Sequence, residues 1–228
     1  MIDVITSQNA VLYKDALEGM FRLRHRIFVE RMGWEALRKP DGIEKDQFDT
    51  PDAVYLVLQD DKSGAVIGTH RLLPSLKPHL FSELFPEMCN VHGLQRGQNI
   101  YELNRTCVDE EYLDKRQQEW ARQQIIAGLV EFSYRAGIDY VTILTPLEVM
   151  FRYMLIGVEV KPLGFHREID GVKQAAVRVK MDKLADQAVK AAFGIKGNIV
   201  RYIGPAGSEL PLRSIPESVE PTLAAAAQ

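Results

Sequence analysis

In the second half of this chain, strand-like and helix-like stretches take turns, which leaves few folds open to it. Residues 100–108 (IYELNRTCV) read as a strand. A long helical pattern over 114–136 follows and stops at Gly137, a residue type suited to the left-handed turn that ends helices. Next come a strand at 140–144 and a helix opening near Pro146 and ending by Gly157. A strand around 158–160, a turn-rich stretch over 161–173, a strand at 174–181 and a last helix over 182–193 complete the run. Strands alternating with helices in this way suggest layers of helix packed on a mixed sheet. The first half adds a strand at 2–6, a helix over 9–31, a polar loop over 33–52 and two strands at 53–59 and 65–73. The segment 74–98 is rich in Pro and Gly, with one short helix near 80–84. The expected fold class is α/β: a three-layer αβα sandwich on a mixed sheet, built as one domain over residues 1–203. From Gly204 the sequence GPAGSELPLRSIPESVEPTLAAAAQ has no periodicity and reads as a flexible tail over 204–228.

Composition narrows the function. The chain has 228 residues, enough for one well-cored domain and short for two. Its formal net charge of −3 speaks against a nucleic-acid binder, which carries a basic excess. No apolar run approaches the ~20 residues of a membrane helix. The start lacks the basic and apolar blocks of a secretion signal. Cys89 and Cys107 form no metal-ligand spacing. Free thiols in a reducing cytoplasm are therefore expected, with no metal and no membrane partner.

Several charged residues stand where the pattern calls for apolar ones. At about 100° per residue, Arg24 falls amid Leu17, Met20, Phe21, Ile27 and Phe28 on the apolar face of the first helix. A cation there needs a partner, or a stem that reaches water. Arg22, His25 and Arg26 are expected to point away into solvent. Glu44, Asp46 and Asp49 crowd a loop around Ile43 and Phe48, and clustered carboxylates repel unless a cation sits among them. Taken alone, that loop reads as a solvated surface. Glu102 and Arg105 interrupt a strand that otherwise looks buried, and Arg71 interrupts another. Strict alternation puts Glu102 and Asn104 on one face and Leu103 and Arg105 on the other. If Glu102 and Arg105 serve one site, a β-bulge must lie between or beside them.

Together these positions resemble the motif set of the LuxI-type autoinducer synthases. Arg24 with Phe28 and Trp34, then Glu44-x-Asp46-x-x-Asp49, Arg71 and Glu102-x-x-Arg105 occur in the family's order, with Pro86-Glu87 between the last two. The likeness covers residues 1–200 and implies a fold like that of the GNAT acyltransferases. It implies synthesis of an acyl-homoserine lactone, a quorum-sensing signal, from S-adenosylmethionine and an acyl thioester. By resemblance, Arg24, Phe28, Trp34, Asp46, Asp49, Arg71 and Arg105 bind S-adenosylmethionine, which is a substrate; no cofactor is implied. Arginine forks suit its carboxylate, and acids and aromatic faces suit its ammonium. Glu102, acting through a water, is the candidate general base, and Glu44 is the second catalytic carboxylate. The methionine carboxylate then displaces the sulfonium intramolecularly, releasing methylthioadenosine.

The acyl chain needs an apolar tunnel, for which Leu103, Ile143, Leu144, Thr145, Met150, Met154 and Leu155 are candidates. A Met-rich run is also ordinary core. Thr142 and Thr145 both fit the family's acyl-selecting threonine. The donor is an acyl-carrier protein or acyl-CoA. Residues 146–183 hold seven Lys or Arg against five acids, a mild surplus that suits an acidic carrier. The stretch Arg38-Lys39-Pro40-Asp41-Gly42 resembles the CoA-using subgroup. The carrier protein is the first expectation. Two rivals remain: an ordinary GNAT N-acetyltransferase and a catalytically silent ligand-binding domain. The first is disfavoured because residues 109–114, where a pyrophosphate would be cradled, are acidic and lack glycine.

Overall fold

The structure, a computed structural model, describes residues 1–204. The expected tail therefore lies, past Gly204, outside the described residues. β1 (Ile2–Ile5) is followed by a 3-10 turn (Ala10–Tyr13), α1 (Lys14–Arg24) and a π-helical stretch (His25–Arg31). Next come β2 (Val54–Gln59), β3 (Val66–Pro74), α2 (Leu80–Glu83) and β4 (Ile100–Val108), which leads into α3 (Lys115–Arg135). The chain continues through β5 (Tyr140–Pro146), α4 (Leu147–Leu155), β6 (Val160–Pro162), β7 (Arg167–Ile169), β8 (Val172–Lys180), α5 (Lys183–Phe193) and β9 (Val200–Arg201).

Among the described residues the strands form one mixed sheet in the order β6-β8-β5-β4-β3-β2-β1-β9, with β7 also bonded to β8. β4 and β5 run parallel, as do β1 and β9. α3, α4 and α5 bury one face through Ile125, Leu129, Phe132, Met150, Tyr153 and Val189. α1 and the π-helical stretch bury the other through Met20, Leu23, Ile27 and Phe28. This is the expected three-layer sandwich. Each such apolar side chain contributes about 1.5–3 kcal/mol by leaving water.

α3 carries its own start and stop signals. Asp114 accepts from the Gln117 N–H, and the Gln117 side chain accepts from the Asp114 N–H. Gly137 takes φ +73° just past the end. In the middle, Gly128 lets the helix close on β1, where a Cβ would lie 2.7 Å from Ile2 Cγ1.

Two expectations need correction. The helix expected over 9–31 is α-helical only from Lys14 to Arg24, because Met32 N–H bonds back five residues to Ile27 O. A π turn advances fewer degrees per residue, so the 100° reading fails after Arg24. His25 is consequently buried, and Arg26 is tied to Asp109 at 2.5 Å rather than free in solvent. The strand expected at 158–160 begins at Val160, where the chain meets Val179 of β8.

Candidate active site

The site is built where β4 changes register. Thr69 faces Cys107 and Arg71 faces Asn104, so β3 spends one residue, His70, where β4 spends two, Arg105 and Thr106. Arg105 adopts φ +50°, a left-handed conformation that costs about 1–3 kcal/mol for a non-glycine residue. That bulge turns the Arg105 side chain onto the face of Glu102 and Asn104, as a shared site required. Behind it His70 is sealed in. Its Nε2–H donates to Ile125 O at 3.0 Å, and Thr106 Oγ–H donates to its Nδ1 at 2.8 Å. Burial pushes His70 down to about 4, against a smaller opposing effect of the Ile125 carbonyl.

On the other face the loop carboxylates and the arginines meet. Arg24 donates two bonds to Asp49, at 2.8 and 2.9 Å, and its Nε bonds Glu44. Arg71 grips Asp46 at 2.6 and 3.0 Å and lies 2.9 Å from Asp49. Arg105 joins Glu44 at 3.1 Å to Asp46 at 2.7 Å. Three guanidinium groups thus balance three carboxylates, all with side chains at most 9% exposed. The acids of the loop read alone as solvated are interior, because each finds an arginine, while Lys45 and Gln47 between them stay exposed.

Electrostatics follow from this pairing. Burial alone raises the Asp49 carboxyl, but the hydrogen bonds and charge of Arg24, with the charge of Arg71, hold it well below the usual range. Burial alone disfavours the charged form of Arg24, yet Asp49 and Glu44 hold its proton more firmly than usual. Tyr55, whose hydroxyl donates to Asp49 at 2.9 Å, is pushed up by burial and then by that carboxylate.

Phe28 and Trp34 stack with centroids 5.1 Å apart, and the Arg105 guanidinium lies 5.5 and 5.7 Å from their rings. The π turn makes this possible, since Trp34 N–H bonds back to Phe28 O. Trp34 is half-buried, so the outer edge of this aromatic corner reaches solvent while Phe28 and Arg105 lie behind it.

Glu102, the candidate general base, is sealed in rather than set beside water. It is 1% exposed. Oε1 accepts from Leu80 N–H at 3.0 Å and Asn104 Nδ2 at 2.9 Å, while Oε2 accepts from Phe81 N–H at 2.8 Å and contacts His79 Nδ1 at 2.6 Å. All four lone-pair positions are occupied. Asn104 Oδ1 in turn accepts from Arg71 Nε at 2.7 Å, linking Glu102 to the ionic cluster. Glu44, the second expected catalytic carboxylate, is likewise fully engaged, by Arg24 and Arg105.

Beside this cluster β4 and β5 part. They pair only over Ile100–Leu103 and Tyr140–Ile143, after which β4 continues along β3 and β5 along β8. The acyl candidates sit around this split. Leu103, Ile143 and Met150 belong to the core under α3 and α4, and Thr145 is buried. Leu144 faces the opposite side, against Phe81, Cys89 and Leu163. Met154 is 48% exposed and Leu155 86% exposed, so both leave the proposed tunnel wall. On a short helix only one stripe can face the sheet, and Met150 and Tyr153 hold it. His79, Asn104 and Tyr55 are site residues that sequence reasoning missed. Only Asn104 carried a signal, through its shared face with Glu102.

The sequence pattern of the autoinducer synthase family matches residues 8–188. This chain belongs to the autoinducer synthase family. An isovaleryl-homoserine lactone synthase of Bradyrhizobium diazoefficiens is 35% identical to this autoinducer synthase over 205 residues, 90% of each chain. A CoA-dependent acyl-homoserine lactone synthase, solved with S-adenosylmethionine and isopentyl-CoA, superposes with a TM-score of 0.81 at 35% identity, over 90% of this chain and 94% of that one. An acyl-CoA N-acyltransferase from Pseudomonas aeruginosa, 16% identical with a TM-score of 0.50 over 78% of this chain and 98% of that one, shares the fold. The resemblance read from the charged motifs therefore holds, as do the GNAT-like fold and the enzyme class. The chain is an acyl-homoserine-lactone synthase, an acyltransferase.

Proposed function

We propose that this autoinducer synthase transfers an acyl group from acyl-CoA to the amine of S-adenosylmethionine and then closes the lactone with loss of methylthioadenosine. The observation that carries this reading is the neutral cluster of Arg24, Arg71 and Arg105 with Glu44, Asp46 and Asp49, set beside the split between β4 and β5. A zwitterionic sulfonium needs fixed charge of both signs next to a slot for a thioester. Arg105 and the Phe28–Trp34 stack offer the open side of that cluster, with Asp46 behind Arg105. Arg24, Arg71, Glu44 and Asp49 fix its geometry.

Coenzyme A replaces the carrier protein as first choice of donor because a relative alike over 90% of the chain is CoA-dependent. The β4–α3 turn does not hold its pyrophosphate. Asp109 and Glu110 there are already engaged with Arg26, Arg31 and Arg122. The acyl chain enters the split toward Leu103, Ile143 and Thr145. Lactone closure takes no cofactor, since the S-adenosylmethionine sulfonium is its own leaving group. It belongs in the cytoplasm, where both substrates are made.

The test is to incubate the purified protein with S-adenosylmethionine and a series of acyl-CoAs, isovaleryl-CoA among them, and to detect methylthioadenosine and acyl lactone by mass spectrometry. Turnover only with acyl-carrier protein would return the donor to the first expectation. An acetylated amine without lactone would point to a GNAT acetyltransferase.

A further inference from the structure

Next to Glu102 lies a side chain with no role in the acylation proposed for this site. His79 immediately precedes α2, and its residue is wholly buried. Its Nδ1 lies 2.6 Å from Glu102 Oε2. Its Nε2 is enclosed and, among the described residues, has no hydrogen-bond partner. Glu102 already accepts from three N–H groups, those of Leu80, Phe81 and Asn104. A carboxylate so placed is an acceptor toward its fourth neighbour as well, which puts the ring proton on Nδ1. Nε2 is then left with a free lone pair. Hiding a polar atom unpaired costs about 1–3 kcal/mol. Such an atom, beside the carboxylate expected to act as base, calls for a partner.

We infer that His79 and Glu102 form a dyad in which Nε2 of His79 takes the proton from the S-adenosylmethionine ammonium, directly or through one water. The inference rests on the proposed acylation. Glu102 is then the positioning residue: it fixes the ring and its tautomer, as the carboxylate does in a nucleophile–histidine–acid array. In the step itself, the ammonium N–H bond breaks and its proton passes to Nε2. The freed nitrogen pair forms the C–N bond to the thioester carbonyl, the C–S bond breaks, and the departing thiolate takes up the second amine proton. His79 returns its proton to solvent.

Among the described residues, Glu83 lies beside the dyad on the Ser82 hydroxyl, which accepts from His79 N–H. Arg71 reaches Glu102 through Asn104. Cys89, pushed up to about 11 by burial and then by Glu102 and Glu87, stays a thiol through the working range.

The experiment compares wild type with His79→Gln in the lactone assay across pH, with S-adenosylmethionine affinity measured by calorimetry. Expected is retained binding, a fall in kcat of about 100-fold or more and loss of the acidic limb of the pH–rate profile. Unchanged kcat, or a lowered kcat with the acidic limb intact, would overturn the dyad while lactone synthesis by wild type stands. Absence of lactone from wild type would instead sink the reaction on which the dyad rests. If His79→Gln does not fold, nitrogen NMR of the wild-type ring decides. Nε2 should shift when S-adenosylmethionine and an unreactive acyl-CoA thioether bind, and a Nε2 signal indifferent to both ligands overturns the inference.

Discussion

The two sides of the β4–β5 split are built on different principles. On the β3–β4 side, Arg24, Arg71, Arg105, Glu44, Asp46 and Asp49 are each held by more than one named polar bond, and Arg105 takes a strained backbone to join them. On the β5 side, Ile143, Leu144 and Met150 are held by apolar packing alone, and α4 leaves Phe151, Met154 and Leu155 in solvent. A substrate with fixed charges demands fixed counter-charges. An acyl chain demands only volume, which many side chains can supply. The amine side therefore tolerates little change, and the acyl side can drift.

The sharpest way to break this contrast is to remove one carboxylate. Asp49→Asn leaves Arg24 and Arg71 with buried, under-compensated charge. It is expected to cost about 3–5 kcal/mol in urea unfolding and to abolish S-adenosylmethionine binding. Leu144→Ala on the other side is expected to cost about 1–2 kcal/mol, since its side chain is only half-buried, and to spare binding. Equal losses from the two variants would remove the distinction.

The next effect is one of pH, and it arises behind the bulge. His70 titrates near 4 in the folded chain against an ordinary value of 6.5. Between those limits the unfolded chain binds the extra proton, so stability falls as pH drops from about 6.5 to 4. The loss is on the order of 3 kcal/mol, complete once pH is below the folded value. Asp49 has the depressed carboxylate sign: its contribution is present above the unfolded value and is lost as pH falls through the folded one, at more acid pH. Urea midpoints measured against pH should show the first loss in wild type and not in His70→Gln. A flat wild-type profile over that window would mean that His70 does not stay neutral.

Sequence exposed the cluster better than the fold around it. Arg24 in an apolar stripe and Glu102 with Arg105 in one strand each break the local pattern, so they were visible one by one, and only their order along the chain tied them to a shared site. The bulge followed from requiring two opposite faces to share a site. The π turn was not legible, because it changes periodicity without any Gly or Pro to mark it. It hid the burial of His25 and the pairing of Arg26 with Asp109. His79 was hidden for another reason. It stands in a Pro-rich connection, 23 residues from Glu102, and only the three-dimensional path brings them together.

A smaller change tests the open edge of the amine side. Trp34 is half-buried and stacks on Phe28 beneath Arg105. Trp34→Ala should weaken S-adenosylmethionine binding by roughly five-fold, about 1 kcal/mol, while the urea midpoint stays close to wild type. Calorimetry checks the first and unfolding the second. A large stability loss would place Trp34 among the structural members of the cluster instead of at its mouth.

The smallest expected effect is the most informative about the acyl side. Met154 belongs to the Met-rich run over α4, yet it is 48% exposed, whereas Met150, one turn earlier, is buried against the core. Met154→Ala should leave stability within about 0.5 kcal/mol and leave the ranking of acyl-CoA substrates unchanged. Met150→Ala should alter that ranking, because deleting buried volume beside Ile143 reshapes the end of the split. Relative kcat/KM over a series of acyl-CoA lengths measures both. If the exposed methionine shifts chain preference as much as the buried one, the acyl chain lies over the outer surface of α4 rather than between β4 and β5.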